Sequence, residues 1–411
     1  TRLVSDWSSD VCSSDLLWLP NVAEFAEVYY GALMAGCTVS CASPALSPEE
    51  LGAQVRDAKP SLVVSVGEFR ERLSQALSHA GESDLPVWCL GEGKQILADL
   101  KPVNVPNPAQ DIAVLQYTSG TTGVAKAAMM SHQNLVTNAL QNANWFGWTS
   151  DEVNLCILPL CHTWGMCCCL NSTVAVGGTL VLSDQSAGFD PSKVFDEIEQ
   201  HKATVLYGSA TMFHRLLETA AADAAHRAKQ AASLRHVKAG AMLTQGNLKQ
   251  RWDEFCPNAP LQQGYGLTEA SPESHNNPPG RFKRGTVGIP IQDTDCVIAD
   301  PEDPRKHLPP NTTGEVLLKG PQITLGYWNK PDATAAAIVD GWLRTGDIGV
   351  MDEEGYLTIV DRKKDLLKFR GYSISPNNVE DCLLKHEAVK ECVVVGKLDV
   401  RDGEIPVAFV V

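Results

Sequence analysis

The chain has 411 residues, 44% of them hydrophobic and 20% charged, which excludes disordered and collagen-like polymers and leaves room for two or three domains around a large core. Its 34 Lys and Arg against 49 Asp and Glu give a net charge of −15, so the averaged field repels nucleic acid and anionic membranes, and any anionic ligand needs a local basic patch. No apolar run has the length of a membrane span: the best candidate, residues 164–182, is broken by Asn171, Ser172, Thr173 and the pair Gly177 and Gly178.

Residues 1–16 carry a threefold Ser-Asp recurrence with neither helical nor strand period and no signal-peptide architecture. They are expected to be a non-native leader outside the fold. From Asn21, amphipathic helical stretches such as 22–35 and 48–58 alternate with short apolar runs such as 61–66 and 203–207, which predicts an α/β fold. A Pro-rich passage at 102–108 precedes a buried strand expected at 112–117, and strand-then-helix units continue to Gly280. Beyond Pro278-Pro279-Gly280, strands around 296–298 and 314–318 with turn residues between them predict a small β-rich subdomain over about 281–360. Near Asp361 the basic segment 361–370 leads into Gly371, a helix at 376–385 and a strand at 391–395, so 361–411 reads as a hinge and a partial small domain. The last run, 405–411, has the pattern of a strand cut off within a domain. Thirteen cysteines, an odd number with Cys167, Cys168 and Cys169 adjacent and no C-x-x-C pair, suit reduced thiols and a cytoplasmic protein better than disulfides or zinc.

Chemistry concentrates first in residues 117–126, Tyr-Thr-Ser-Gly-Thr-Thr-Gly-Val-Ala-Lys, directly after the expected buried strand. Gly120 and Gly123 let the backbone turn tightly, Thr118, Ser119, Thr121 and Thr122 offer hydroxyls, and Lys126 adds a positive charge, which together make a phosphate cradle. It is not a Walker A loop, because Lys126 lies three residues past Gly123 and Ala127 follows it.

This decapeptide resembles the signature loop of the acyl-adenylate-forming superfamily, and further motifs agree in order: Gly264-Tyr-Gly-Leu-Thr-Glu269, Gly341-Trp-Leu-Arg-Thr-Gly-Asp347, and Asp361-Arg-Lys-Lys-Asp365 with Gly371-Tyr372. The similarity runs from about Leu17 to the end. It implies a large N-terminal AMP-binding domain of stacked α/β subdomains over 17–360, the β-rich subdomain included, then an incomplete small α+β C-terminal domain.

Physical reasons accompany each implied role. In the second motif the glycines, Gly264 and Gly266, free the backbone to lie against a base, Tyr265 offers a planar face to adenine, and Thr268 can donate to a phosphate oxygen. Glu269 suits hard Mg²⁺. The resemblance places the backbone at Gly240 and Ala241, and Gln263, on the adenine side. Asp347 can accept from two vicinal ribose hydroxyls; Arg362 is implied to reinforce that grip, and Lys364 to be the hinge about which the C-terminal domain turns. Residues 361–370 hold five basic and two acidic side chains, a local +3 for ATP and CoA, with Lys368, Gly371 and Tyr372 on the CoA side.

His162 stands where the resemblance implies a histidine beside the phosphates and the acyl carboxylate, as an orienting group and not a general base, since a carboxylate is already ionised near neutral pH. Trp164, Tyr207, Ser209, Met212 and Gly264 are expected to line the acyl pocket, although the first four suit a core equally well. The family also uses a late lysine during adenylation; no such motif stands before Val411, so that lysine is expected to be missing from this chain.

The function implied is that of an AMP-forming acyl-CoA synthetase: a carboxylic acid, expected to be a medium- or long-chain fatty acid from the character of 207–213, reacts with ATP and CoA, with Mg²⁺. Transfer of the acyl-adenylate to a carrier protein, and a non-catalytic nucleotide-binding remnant, stay open as alternatives.

Overall fold

The computed structural model describes residues 14–91, 107–118, 125–184, 188–240, 247–363, 365–369, 372–386, 388–399 and 403–411. Four sheets follow one another along the chain. The first contains β1 (Ser14–Trp18), β2 (Thr38–Cys41), β3 (Pro60–Val66), β4 (Val87–Leu90), β5 (Ile112–Thr118) and β6 (Lys126–Ser131), in the spatial order β4-β3-β1-β2-β5-β6. All its pairings are parallel except that of β5 with β6. Helices Ala23–Met34 and Pro48–Ala58 lie within a residue or two of their expected spans. Ser47 starts the latter because its hydroxyl accepts the Glu50 backbone N–H while the Glu50 carboxylate accepts that of Ser47, with Pro48 supplying a pre-set φ.

One boundary differs from expectation. Strand β1 begins at Ser14 and lies in the middle of the first sheet, so Ser14, Asp15 and Leu16, assigned to the excluded leader, belong to the fold. The apolar run of three following residues was too short to reveal the strand's start. Leu16 is fully buried, as an interior strand position demands, whereas Asp15 carries a carboxylate into the same environment, with its Oδ2 unpartnered among the described residues.

The second sheet contains β7 (Val153–Cys156), β8 (Thr179–Leu182), β9 (Val205–Ser209), β10 (His236–Gly240), β11 (Leu261–Gly266), β12 (Glu273–Asn276) and β13 (Ile289–Pro290), in the order β13-β12-β11-β10-β9-β7-β8. Its first five strands are parallel, and β12 and β13 continue antiparallel. Side chains alternate across this sheet. Val205 and Tyr207 join a core shared with Leu17, Val39 and Val114 of the first sheet, while Leu206, Val237 and Leu261 face Phe213 and Trp252 on the other side.

The third sheet contains β14 (Asp295–Ala299), β15 (Gly314–Lys319), β16 (Ile338–Val339), β17 (Trp342–Met351) and β18 (Leu357–Arg362), antiparallel in the order β14-β15-β17-β16 with β18 on β17. The segment between β15 and β16 covers the edge of the first sheet: Met129 donates to the Gly326 carbonyl, Leu325 to that of Met129, and Trp328 to that of Ala127. The fourth sheet, β19 (Leu367–Phe369), β20 (Tyr372–Ile374), β21 (Cys392–Asp399) and β22 (Gly403–Val410), is antiparallel in the order β20-β19-β22-β21. Val393 faces Phe409 across β21 and β22, and both are exposed. Among the described residues no helix is long and apolar enough to cross a membrane.

Candidate active site

The carboxyl ends of β9, β10 and β11 lie side by side, and in open α/β sheets this is where ligands bind. Strand β11 delivers the motif that begins at Gly264. Tyr265 donates its hydroxyl to Asp347 Oδ2 at 2.6 Å, and Arg362 Nε stands 3.6 Å from Asp347 Oδ1. Three residues separated widely in sequence, each expected on the nucleotide, thus meet at one carboxylate. Asp347 is 9% exposed, and burial holds its pKa above the ordinary carboxylate value against the opposing pull of the Tyr265 hydroxyl and Arg362. Asp347 lies within β17, which continues to Met351, and Gly346 before it takes the left-handed φ of 73°.

Glu269 follows four residues after Tyr265, near enough for its charge to act on Asp347. Its Oε1 accepts from the Tyr327 hydroxyl at 2.6 Å, and Lys126 Nζ lies over the Tyr327 ring, 5.2 Å from its centroid. Lys126 opens β6 opposite Thr118, whose hydroxyl donates to its carbonyl at 3.3 Å. Tyr327 was not anticipated. Its only sequence signal is an aromatic after Gly326, common in any turn. The rest of the phosphate loop, Ser119, Gly120, Thr121, Thr122 and Gly123, lies outside the described residues, as do Ala241, Lys364 and Gly371 and the side chains of Lys368 and Tyr372.

The Glu269 carboxylate keeps one oxygen without a hydrogen bond among the described residues. A single carboxylate beside nucleotide phosphates fits Mg²⁺, which retains waters and binds through substrate oxygens instead of a closed protein cage.

His162 is exposed. Its Nδ1 accepts the Trp164 backbone N–H at 3.1 Å, which leaves the ring proton on Nε2, and the packing behind it holds its pKa below the ordinary value, so the ring is neutral at pH 7. Thr163 and Thr268 hydroxyls are 3.5 Å apart, joining this loop to the motif on β11. The next segment, Trp164–Asn171, is a π-helix, a widened turn often found beside functional sites. It packs against the loop that joins it to β7, where a Cβ on Gly165 would fall 2.2 Å from the Pro159 carbonyl oxygen.

Of the expected acyl-pocket residues, Trp164, Tyr207 and Gly264 share one face of the second sheet. The Trp164 and Tyr207 rings stack at 6.4 Å, and the Trp164 ring covers Gly240, where a Cβ would lie 2.8 Å from it. Ser209 caps helix Ala210–Ala221 by accepting the Met212 N–H, and Met212 packs between the two cores. Gln263 is buried, and its carbonyl accepts from Asn277 Nδ2.

On that same face stands Lys238, which sequence reasoning passed over. It is 2% exposed, in contact with the Glu273 carboxylate, and its Nζ lies 5.6 Å from the Tyr207 ring centroid and 5.7 Å from that of Phe146. Burial pulls its ammonium down to about 7, with the nearby Cys168 and Cys169 thiols opposing. The space beside Gly264 is filled by this group: a Cβ there would lie 2.8 Å from Lys238 Cε and 2.3 Å from Asn276 Oδ1.

The sequence profile described as AMP-binding enzyme matches residues 15–328, and that described as AMP-binding enzyme C-terminal domain matches 378–411. The chain belongs to the AMP-binding enzyme family. A long-chain-fatty-acid–CoA ligase of Bacillus subtilis is 35% identical over 96% of this chain and 75% of its own length. The 4-coumarate–CoA ligase 2 of Solanum tuberosum is 33% identical over 96% of this chain and 74% of its own. Among solved structures, o-succinylbenzoate CoA synthetase of Bacillus subtilis in complex with its acyl-adenylate intermediate superposes with a TM-score of 0.85 at 27% identity, covering 99% of this chain and 80% of that one. As an AMP-binding enzyme whose relatives are CoA ligases, the chain is an acid–thiol ligase in character.

Proposed function

We propose that this AMP-binding enzyme joins a carboxylic acid to CoA through an acyl-adenylate. The observation that carries the reading is the meeting of Tyr265, Asp347 and Arg362 beside Glu269, Tyr327 and Lys126 at the strand ends of the second sheet. In the first half-reaction a carboxylate oxygen bonds to the α-phosphorus of ATP, the bond from that phosphorus toward the β-phosphate breaks, and pyrophosphate leaves. In the second, the CoA sulfur bonds to the acyl carbon, AMP leaves, and the thiol proton passes to solvent.

Positioning and charge carry both steps. Asp347, oriented by Tyr265, accepts from the ribose hydroxyls; a carboxylate has about four lone-pair sites, so its protein partners do not exhaust it. Lys126 offsets phosphate charge, Thr268 donates to a phosphate oxygen, and neutral His162 donates from Nε2. Glu269 would hold Mg²⁺ when it accompanies ATP, and the ion would supply further neutralisation of phosphate charge. The expected medium- or long-chain acid rests on the segment 207–213, and the fatty-acid and coumarate ligases resemble this chain almost equally.

Calorimetry with AMP and with a non-hydrolysable acyl sulfamoyl adenosine tests the site. Lys126→Ala and Asp347→Ala each remove a charge-assisted contact, and each should weaken the sulfamoyl compound about ten- to hundredfold. Unchanged affinity in both variants would overturn the assignment.

A further inference from the structure

The segment that covers the edge of β6 also reaches into the candidate site. Tyr327 lies opposite Ala128 of β6, in antiparallel register. Lys126 and Ala128 point to the same face of that strand because they are two residues apart. Tyr327 and Lys126 are therefore diagonal neighbours on one face, near enough for an aromatic ring and a long side chain to meet over the small Ala128. Lys126 Nζ accordingly lies 5.2 Å from the centroid of the Tyr327 ring. The same segment holds the backbone of Glu269, since the Thr324 N–H donates to the Glu269 carbonyl at 2.9 Å. Tyr327 is fixed from its other side. Its N–H donates to Thr334 Oγ1 at 2.9 Å, and that hydroxyl donates to the Lys330 carbonyl at 3.0 Å. Gly326 before it takes a φ of 121°, and a Cβ there would fall 2.3 Å from Thr334 Cγ2, so this close approach needs glycine.

A cation and an anion thus share one phenol. The ring face is electron-rich and attracts the Lys126 ammonium. The hydroxyl donates to Glu269 Oε1 at 2.6 Å, the length of a charge-assisted bond. Burial, and then the Glu269 charge, hold the phenol pKa well above its ordinary value, so the hydroxyl keeps its proton and stays a donor. Among the described residues Lys126 and Glu269 form no ion pair with each other. Direct pairing would neutralise both: the lysine would lose its attraction for phosphate and the carboxylate its free oxygen.

We propose that Tyr327 is a positioning residue that keeps Lys126 and Glu269 apart, ring to one and hydroxyl to the other, so that the lysine stays available to phosphate and the carboxylate to a divalent cation. This deepens the acyl-adenylate reading above and rests on it. Tyr327 acts through the two charged side chains. Without its hydroxyl the carboxylate turns to the lysine and cancels its charge.

Tyr327→Phe keeps the ring and removes only the hydroxyl. Its effect is read by calorimetry with ATP in EDTA, where no metal takes part and no acid is present to react. ATP should bind about tenfold more weakly than to the unaltered chain, as expected when one charge-assisted contact is lost. In the background of Glu269→Gln the same substitution should change ATP affinity less than about twofold, because no carboxylate remains to cancel Lys126, and in the background of Lys126→Ala it should likewise have no effect. A tyrosine that merely supported the fold would cost the same in all three backgrounds. That result, or an unchanged affinity in Tyr327→Phe itself, would overturn the positioning role and leave the acyl-adenylate reading standing. Failure of the unaltered chain to bind ATP would instead remove that reading, and this role with it. Should Tyr327→Phe not fold, the other two substitutions decide: with the charges held apart, the effects of Lys126→Ala and Glu269→Gln on ATP affinity add, whereas a strong departure from additivity would show the two side chains paired and overturn the proposal.

Discussion

His275 shows how far a single side chain can depart from its solution chemistry. It pairs with Tyr265 across β11 and β12, is fully buried, and burial pushes its imidazole pKa down to about 3. The unfolded chain takes up that proton near pH 6.5, so between the two values the unfolded state binds more protons and the fold loses stability as pH falls. Going from pH 6.5 to pH 5 should cost about 2 kcal/mol from this group alone. Urea unfolding at pH 7 and pH 5 of the chain and of His275→Gln isolates it: the variant should lack that part of the decline, and identical declines would clear His275 of it. The same scale shows where sequence reasoning reached its limit. Tyr265, Asp347, Arg362, Lys126 and Glu269 were legible because their motifs fix chemistry within a few residues. Lys238 was not, since a lone lysine in the short strand His-Val-Lys-Ala-Gly reads as a solvent-facing position until the helix carrying Phe146 and the strand carrying Glu273 close over it. Tyr327 was hidden likewise, because only the folded chain brings it to Lys126 and Glu269.

Elements whose apolar period is long enough announced themselves. Strands β3, β5 and β15 and the helix Pro48–Ala58 lie within a residue or so of their expected spans, because burial on fixed faces leaves a repeat in the sequence. Strand β1 did not, since its first half is Ser-Asp. Its Asp15 has a pKa pushed up to about 6 by burial, the Cys37 side chain and the Leu62 backbone opposing weakly. A carboxyl raised in this way prefers its proton in the fold, so its contribution is fully present below about pH 4 and is lost as pH rises through 6. The loss is about 3 kcal/mol. Asp15→Asn should therefore stabilise the chain by about that amount at pH 8 and leave it little changed at pH 4. Denaturant midpoints at the two pH values measure this, and equal gains at both would refute the ionisation as the cause.

At the scale of the molecule, surface chemistry is uneven. A net charge of −15 keeps most of the surface apart from its copies, yet one face of the outer ribbon β21–β22 exposes Val393, Val395 and Phe409 together. An apolar strip on an edge strand pairs readily with another chain. Sedimentation velocity should show concentration-dependent association, and Val393→Lys with Phe409→Lys should abolish it without moving the affinity for AMP; association that persists would place the contact elsewhere. The covered edge of the first sheet carries a different consequence, one of timing. Strand β6 must wait for its outer partner, since Thr324 bonds Met129 across 195 residues. At ribosomal speeds of about 5–20 residues per second, that interval lasts roughly 10–40 s. During synthesis Lys126 thus stands on an open strand edge for far longer than hairpins take to form. The candidate site, which needs Tyr327 beside Lys126 and Glu269, is therefore among the last things the nascent chain can assemble.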